Sequence, residues 1–367
     1  MRRFTTLVGG ARRSVAVLAP VGALMCFAGL AVAGVPASPT TPPKGIVPTI
    51  PLKTKPPKGK VAGYVVCNLP TCSVFEPYYE QAAKVLGWKA EFFTYSGTDP
   101  QPAMELAIEK KVNFISITGS AQAAFATALA KAKAAHIPVV EQSATDPADP
   151  SAGLYADFGG SPTYGLYTKV LANWMVKKSG GNTNVVFVNI NAFPILATGE
   201  KQARANLAKD CSGCSFNTLE VTTTDLGAGS VPSDVVGYLQ THPSTTYVEC
   251  SFGDLETGLP QALQAAGMAT KVKIVVVAST QPVLQGIVNG QVAATNPQPQ
   301  GYLQWLHFDT FARLAEHMKL TQITKAENLP TYVIDTPAAA KVLLKTGGNW
   351  GGPAGYQSAF KKLWHVG

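Results

Sequence analysis

Residues 247–300 constrain the fold of this chain more than any other stretch. They read YVECSFGDLETGLPQALQAAGMATKVKIVVVASTQPVLQGIVNGQVAATNPQPQ. Three short runs rich in β-branched residues, 247–250, 273–277 and 291–295, alternate with two amphipathic runs. The first amphipathic run, 256–266, places Leu259, Leu263 and Ala266 on one helical face at spacings of four and three. The second, 282–289, opens with Pro282, which suits a first helical turn, and stops at Asn289-Gly290. Strand, helix, strand, helix, strand predicts right-handed crossover units on a parallel sheet. Ligands of such sheets bind beyond the carboxyl ends of the strands. A site is therefore expected at the loops 251–254, 278–281 and 296–300.

The same alternation runs through the rest of the chain. Strands are expected at 61–67, 90–95, 114–118 and 155–158, with one more led into by His136-Ile-Pro-Val-Val, and helices at 76–86, 101–111, 121–135 and 162–178. The pattern then restarts with strands at 185–189 and 215–221 and helices at 198–209 and 234–241. Two successive sets of β-α units, joined near 159–161, predict an α/β fold of two doubly wound parallel-sheet lobes. A further helix is expected over 302–318. Tyr356, Phe360 and Trp364, four apart, form an aromatic face expected to pack on a lobe. A chain of 367 residues has room for about two domains of this kind.

The charge is unevenly placed. Nine of the 30 Lys and Arg lie in residues 1–60, which hold no Asp or Glu, leaving 21 against 22 acidic residues in the remainder. The overall +8 belongs to the tail, so it is poor evidence for nucleic-acid binding. Arg2, Arg3, Arg12 and Arg13 precede an apolar run over 15–32, and Ala-Val-Ala at 31–33 or Val-Pro-Ala at 35–37 suits a cleavage site. Residues 1–33 therefore read as an export signal. A retained membrane anchor is the competing reading of the run. A lipid anchor at Cys26 is disfavoured by the bulky Met25 before it. Residues 34–60 hold eight prolines, five lysines and no acidic residue, which predicts an extended, solvated linker.

In an exported protein, close cysteine pairs read as disulfides. Cys67 and Cys72 bracket a short loop, and Cys211 and Cys214 form CSGC. The second pair follows a helix, which is not the strand-to-helix setting of a redox CxxC, so both pairs are expected to be structural bridges. Cys250 is left over as a buried thiol. No phosphate loop, dinucleotide fingerprint or nucleophile elbow is present. The five histidines (136, 242, 307, 317, 365) match no zinc spacing. Neither a metal, a cofactor nor a catalytic group is expected.

The order and spacing of several segments resemble the type I periplasmic solute-binding proteins of ABC importers, in the sugar-binding group that includes the ribose-binding proteins. The segments are AAKVLGW at 82–88, VNFISITG at 112–119, AAHIPVVEQS at 134–143, VLQGIVNGQVAAT at 283–295 and NPQPQ at 296–300. The resemblance covers nearly all of residues 61–325. It implies two lobes joined by three crossings, near 159–161, 295–299 and 320–325, that close on a ligand like a hinge. Lobe one is then 61–159 plus 297–322, and lobe two 160–296 plus 323–367. It further implies an extracytoplasmic monomer that passes a small molecule to an ABC permease in the membrane, with no nucleic-acid partner. An extracytoplasmic sensor feeding a signalling partner is the alternative, since the same fold serves both.

The sugar contacts implied by the resemblance carry over only in part. The family's glutamine at the second crossing matches Gln298. Its Asp-Arg pair falls on Ser143 and Ala144, and its lobe-two aspartate on Ala278. Its arginine has no match in 198–202. Its aromatic pair in the first loop falls on Thr71 and Cys72, with Phe75 nearby. Charged groups in a sugar site satisfy several hydroxyls at once, so their loss points to a largely neutral, partly apolar ligand. Phe75, Phe193 and Phe252 are the expected apolar walls, with Asn191, Ser143 and Gln298 as polar contacts. Asp254 is expected as the N-cap of the following helix, with ligand contact as the competing role.

Overall fold

The computed structural model describes residues 34–44, 50–320 and 329–367. The expected export signal (1–33), the middle of the linker and most of the third crossing lie outside them. The strands β1 (Val61–Cys67), β2 (Lys89–Tyr95), β3 (Phe114–Thr118), β4 (Val139–Gln142) and β5 (Leu154–Phe158) form one sheet in the order β2-β1-β3-β4-β5. The strands β6 (Asn184–Asn189), β7 (Ser215–Glu220), β8 (Tyr247–Cys250), β9 (Lys273–Val277) and β10 (Ala294–Asn296) form the second, in the order β10-β9-β8-β6-β7. Every pairing is parallel. Both orders carry the reversal at which a doubly wound sheet binds its ligand.

The sequence accounts for the elements. Parallel strands covered on both faces need unbroken apolar runs, and β3 and the last four residues of β9 are buried throughout. The helix Glu76–Leu86 stops where Gly87 takes a left-handed φ of 71°, which costs a glycine nothing. The run expected as one helix over 256–266 splits into a 3-10 turn, Gly253–Glu256, and a helix, Leu259–Ala265. Gly258 at φ 80° separates them. Two buried clusters form the lobe cores, one around each sheet.

The C-terminal region departs from the expected division. Residues 323–367 do not all stay with lobe two. Tyr332 to Ile334 belong to the lobe-two core, and Ile334 bridges Thr295. The helix Pro337–Leu344 packs on the helix Gln281–Val288. The chain then returns, and the helix Tyr356–Leu363 packs on the helix Gln300–Ala315 of lobe one. The aromatic face drives the return: Trp364 stacks on Trp305 with centroids 5.0 Å apart and planes at 13°. The chain thus makes a further crossing, between Trp350 of the lobe-two core and Tyr356 of the lobe-one core.

The linker is also not the free spacer expected from its composition. Val35 is 4% exposed within the lobe-two core, and Leu52 is 2% exposed within that of lobe one. Ser38 donates to the Val170 carbonyl, and the Val333 N–H donates to the Pro39 carbonyl at 2.7 Å. Farther on, Trp88 Nε1 donates to the Pro57 carbonyl at 2.7 Å. Prolines already fix φ, so the ordering of this strap costs less entropy than that of an ordinary tail.

Candidate ligand-binding cleft

A cavity of about 100 Å³ lies between the lobes, beyond the carboxyl ends of the strands. Lobe one contributes the loop after β1, with Leu69, Cys72 and Phe75, and the strand ends at Thr118 and Ser143. Lobe two contributes Phe193, Leu196, Ser251, Phe252 and Ala278. Tyr164 and Tyr167 reach in from the first turns of the helix Ser161–Ser179, and Gln298 from the second crossing.

Five of the seven expected ligand residues therefore meet at this cavity: Phe75, Ser143, Phe193, Phe252 and Gln298. Asn191 does not. It is exposed, its Oδ1 accepts from Asn189 Nδ2 at 2.7 Å, and its backbone N–H donates to Glu220. Asp254 is neither the cap of its own helix nor a wall of the cavity. The residue that caps Leu259–Ala265 is Gly258. Instead Asp254 Oδ2 accepts from the Thr71 N–H of lobe one at 3.2 Å, beside a neighbouring groove. This hydrogen bond joins the rims of the two lobes. Burial raises the Asp254 pKa, and the Thr71 N–H partly offsets the rise.

Cys67 is bonded to Cys72, and Cys211 to Cys214. The first bridge pins the turn carrying Leu69 and Thr71 against β1. Among the described residues, Cys250 is the free cysteine, and it is buried.

Backbone geometry marks equivalent points in the two lobes. Ser143 follows β4 with φ 57°, and Ala278 follows β9 with φ 60°. A left-handed φ is uncommon for a residue with a Cβ and tends to collect at ligand sites. Asn296 at the second crossing holds the lobe-two wall in place. Its Oδ1 accepts from the Ala278 N–H, and its Nδ2 donates to the Tyr167 carbonyl. Tyr164 Oη donates to the Ser251 carbonyl at 2.5 Å.

Among the described residues, no charged side chain lines the cavity. The buried carboxyls lie behind its walls. Glu249 on β8 is 1% exposed, and burial pushes its pKa up to about 8. Its folded-state pKa is above the usual 4.5, so the folded chain keeps a proton that the unfolded chain loses between pH 4.5 and 8. Stability is therefore expected to fall as pH rises through that window, by up to about 1.4 kcal/mol per pH unit. Glu256, pushed up to about 7 by burial, adds a slope of the same sign. In Glu249→Gln the fall should be shallower. Urea midpoints measured from pH 5 to 8 check this, and parallel profiles for the two proteins would contradict it.

Tyr164 and Tyr167 were not expected on the cavity from sequence, and Ser251 was expected only as the start of the loop 251–254. The two tyrosines sit on a helix rather than a loop, and Ser251 opens a loop in which Phe252 was the more visible candidate.

The family model described as a periplasmic binding protein domain matches residues 72–317. Among solved structures, the 5-methylthioribose transporter solute binding protein from Thermotoga lettingae, in complex with 5-methylthioribose, is 17% identical with a TM-score of 0.67. It covers 87% of this chain and 100% of its own. An ABC transporter periplasmic solute binding protein from Actinobacillus succinogenes, with bound D-allose, is 17% identical with a TM-score of 0.66, covering 78% and 100%. GanP, a glucose-galactose binding protein from Geobacillus stearothermophilus, is 16% identical with a TM-score of 0.65, covering 76% and 98%. At these identities the likeness is one of fold. No curated protein matches the chain.

Proposed function

The chain belongs to the type I periplasmic binding protein family, a family of binding proteins and not of enzymes. From that premise we propose that it captures a small neutral solute between its lobes, outside the cytoplasm, and delivers it unaltered to an ABC permease. The observation that carries this reading is a cavity walled by both lobes, beyond the strand ends, and lined by no charged side chain among the described residues. The rim contact from Thr71 to Asp254 supports a closing motion of lobe on lobe.

The ligand is partly apolar. The positions where the family resemblance places charged sugar contacts hold Ser143, Ala144 and Ala278. The aromatic side chains of Phe75, Phe193 and Phe252 present apolar surface instead. A thermal-shift panel of neutral solutes tests this. A ligand at a hundredfold excess over its Kd stabilises by about 2.7 kcal/mol, which moves Tm by several degrees. Solutes with apolar surface are expected to give that shift. Stabilisation by polyhydroxylated pentoses or hexoses alone would contradict the apolar character of the site. Loss of solute uptake on deletion of the gene supports delivery to an importer, whereas normal uptake favours the sensor role.

A further inference from the structure

Among the described residues, two buried polar atoms at the cavity have no hydrogen-bond partner. Tyr167 Oη and Ser251 Oγ are both buried and make no hydrogen bond, although both residues line the cavity. The other tyrosines there are engaged: Tyr95 Oη donates to the Thr118 carbonyl at 2.6 Å, and Tyr164 Oη to the Ser251 carbonyl. A buried hydroxyl without a partner is costly, so one that persists at a ligand cavity marks a contact the ligand completes. Both unpaired hydroxyls belong to lobe two. The lobe-one wall opposite presents apolar surface from Leu69, the Cys67–Cys72 bridge and Phe75, beside the polar side chains of Thr71, Thr118 and Ser143.

The size of the cavity limits what fits. Its volume is about 100 Å³, so a solute held there is compact. A pentose would bring at least four hydroxyls into a space with few free partners. Each stranded hydroxyl weakens binding by roughly five- to a hundredfold.

We propose that the cleft recognises a compact neutral ligand with one hydrogen-bonding end, of the class of a phenol or a small cyclic alcohol. Its oxygen is read by Tyr167 and Ser251, and its apolar ring lies against the aromatic and disulfide walls. This rests on the reading of the cleft as the binding site. It goes further in assigning the ligand's oxygen to the two hydroxyls of lobe two and its ring to the apolar surface of Phe75 and the Cys67–Cys72 bridge.

Isothermal titration of the full chain with phenol, cyclohexanol, D-ribose and myo-inositol tests it. Phenol or cyclohexanol is expected to bind at least tenfold more tightly than either polyol. Tyr167→Phe and Ser251→Ala are each expected to weaken that binding by roughly fivefold or more. Toluene, which has no oxygen, should bind the wild type and Tyr167→Phe alike, a pattern that a merely structural tyrosine would not give. Phenol and cyclohexanol binding no better than the polyols, or unaffected by both substitutions, overturns the inference. Gln298→Trp, which fills the cavity, reads the underlying premise separately. Abolished binding of every probe supports the cleft as the site, and unchanged binding places the site elsewhere.

Discussion

Arg313→Met is expected to destabilise lobe one by about 3–5 kcal/mol, the cost of breaking a buried ion pair from one side. Arg313 and Asp309 are 2% and 0% exposed and form a two-point pair, with Nε to Oδ2 at 2.7 Å and Nη2 to Oδ1 at 3.1 Å. Trp364 Nε1 donates to Asp309 Oδ1 at 2.9 Å, and Arg313 Nη2 donates to the Ile50 carbonyl at 2.8 Å. This one pair therefore ties the helix Gln300–Ala315 to both the C-terminal helix and the strap. Removing the guanidinium leaves a carboxylate with no countercharge in the core. Burial already raises the pKa of Asp309, and Arg313 opposes that rise. At roughly 2–4 °C per kcal/mol, Tm falls by about 10 °C. Adding Asp309→Leu removes the stranded charge and should recover a large part of the loss. Thermal unfolding followed by circular dichroism reads both variants. A double mutant no more stable than the single would show that the charge is not the cause.

Gly199→Ala is expected to weaken ligand binding by more than tenfold. Gly199 lies inside the helix Pro194–Asp210, where a glycine costs about 1 kcal/mol relative to alanine. Its presence there has a packing reason. The three nearest heavy atoms that a Cβ at 199 would meet all belong to the Tyr164 ring, at overlapping distance. Tyr164 lines the cavity and fixes the Ser251 carbonyl. A methyl group drives the ring out of place, and the cleft wall moves with it. Overpacking of this kind costs about 1–3 kcal/mol, partly offset by the better helix propensity of alanine. The fold should therefore survive while affinity falls. Titration of the co-purified ligand into the stripped variant checks this, and unchanged affinity would show that the Tyr164 position is unimportant.

Much of the scaffold was legible because parallel strands buried on both faces carry their own signal. The bounds of β1, β3, β8 and β9 agree with the apolar runs residue for residue. Helix ends shifted where a glycine or proline redirected the chain, as at Gly258. The strap was not legible, because a Pro- and Lys-rich segment has no periodic apolar face. Its docking rests on isolated side chains, Val35 and Leu52, that find partners only in the assembled fold. The return of the last helix to lobe one was half legible: the aromatic face was visible, but not the lobe it would cover.

In the site, the loops beyond the strand ends did supply Ser251, Phe252, Ala278 and Gln298. Tyr164 and Tyr167 were missed because on a helix with apolar neighbours they look like core. Their signal was position, in the first turns after the chain crosses between lobes. Asn191 does not line the cavity, because a polar residue just past a strand end can equally close a turn, as its bond from Asn189 does.

Small-angle X-ray scattering of the same protein, stripped and then reloaded with its co-purified ligand, tests the hinged capture of a solute most directly. The radius of gyration should fall on reloading, with mass spectrometry recovering the ligand at one per chain and chemically unchanged. A radius that does not change, or a ligand released in altered form, would contradict it.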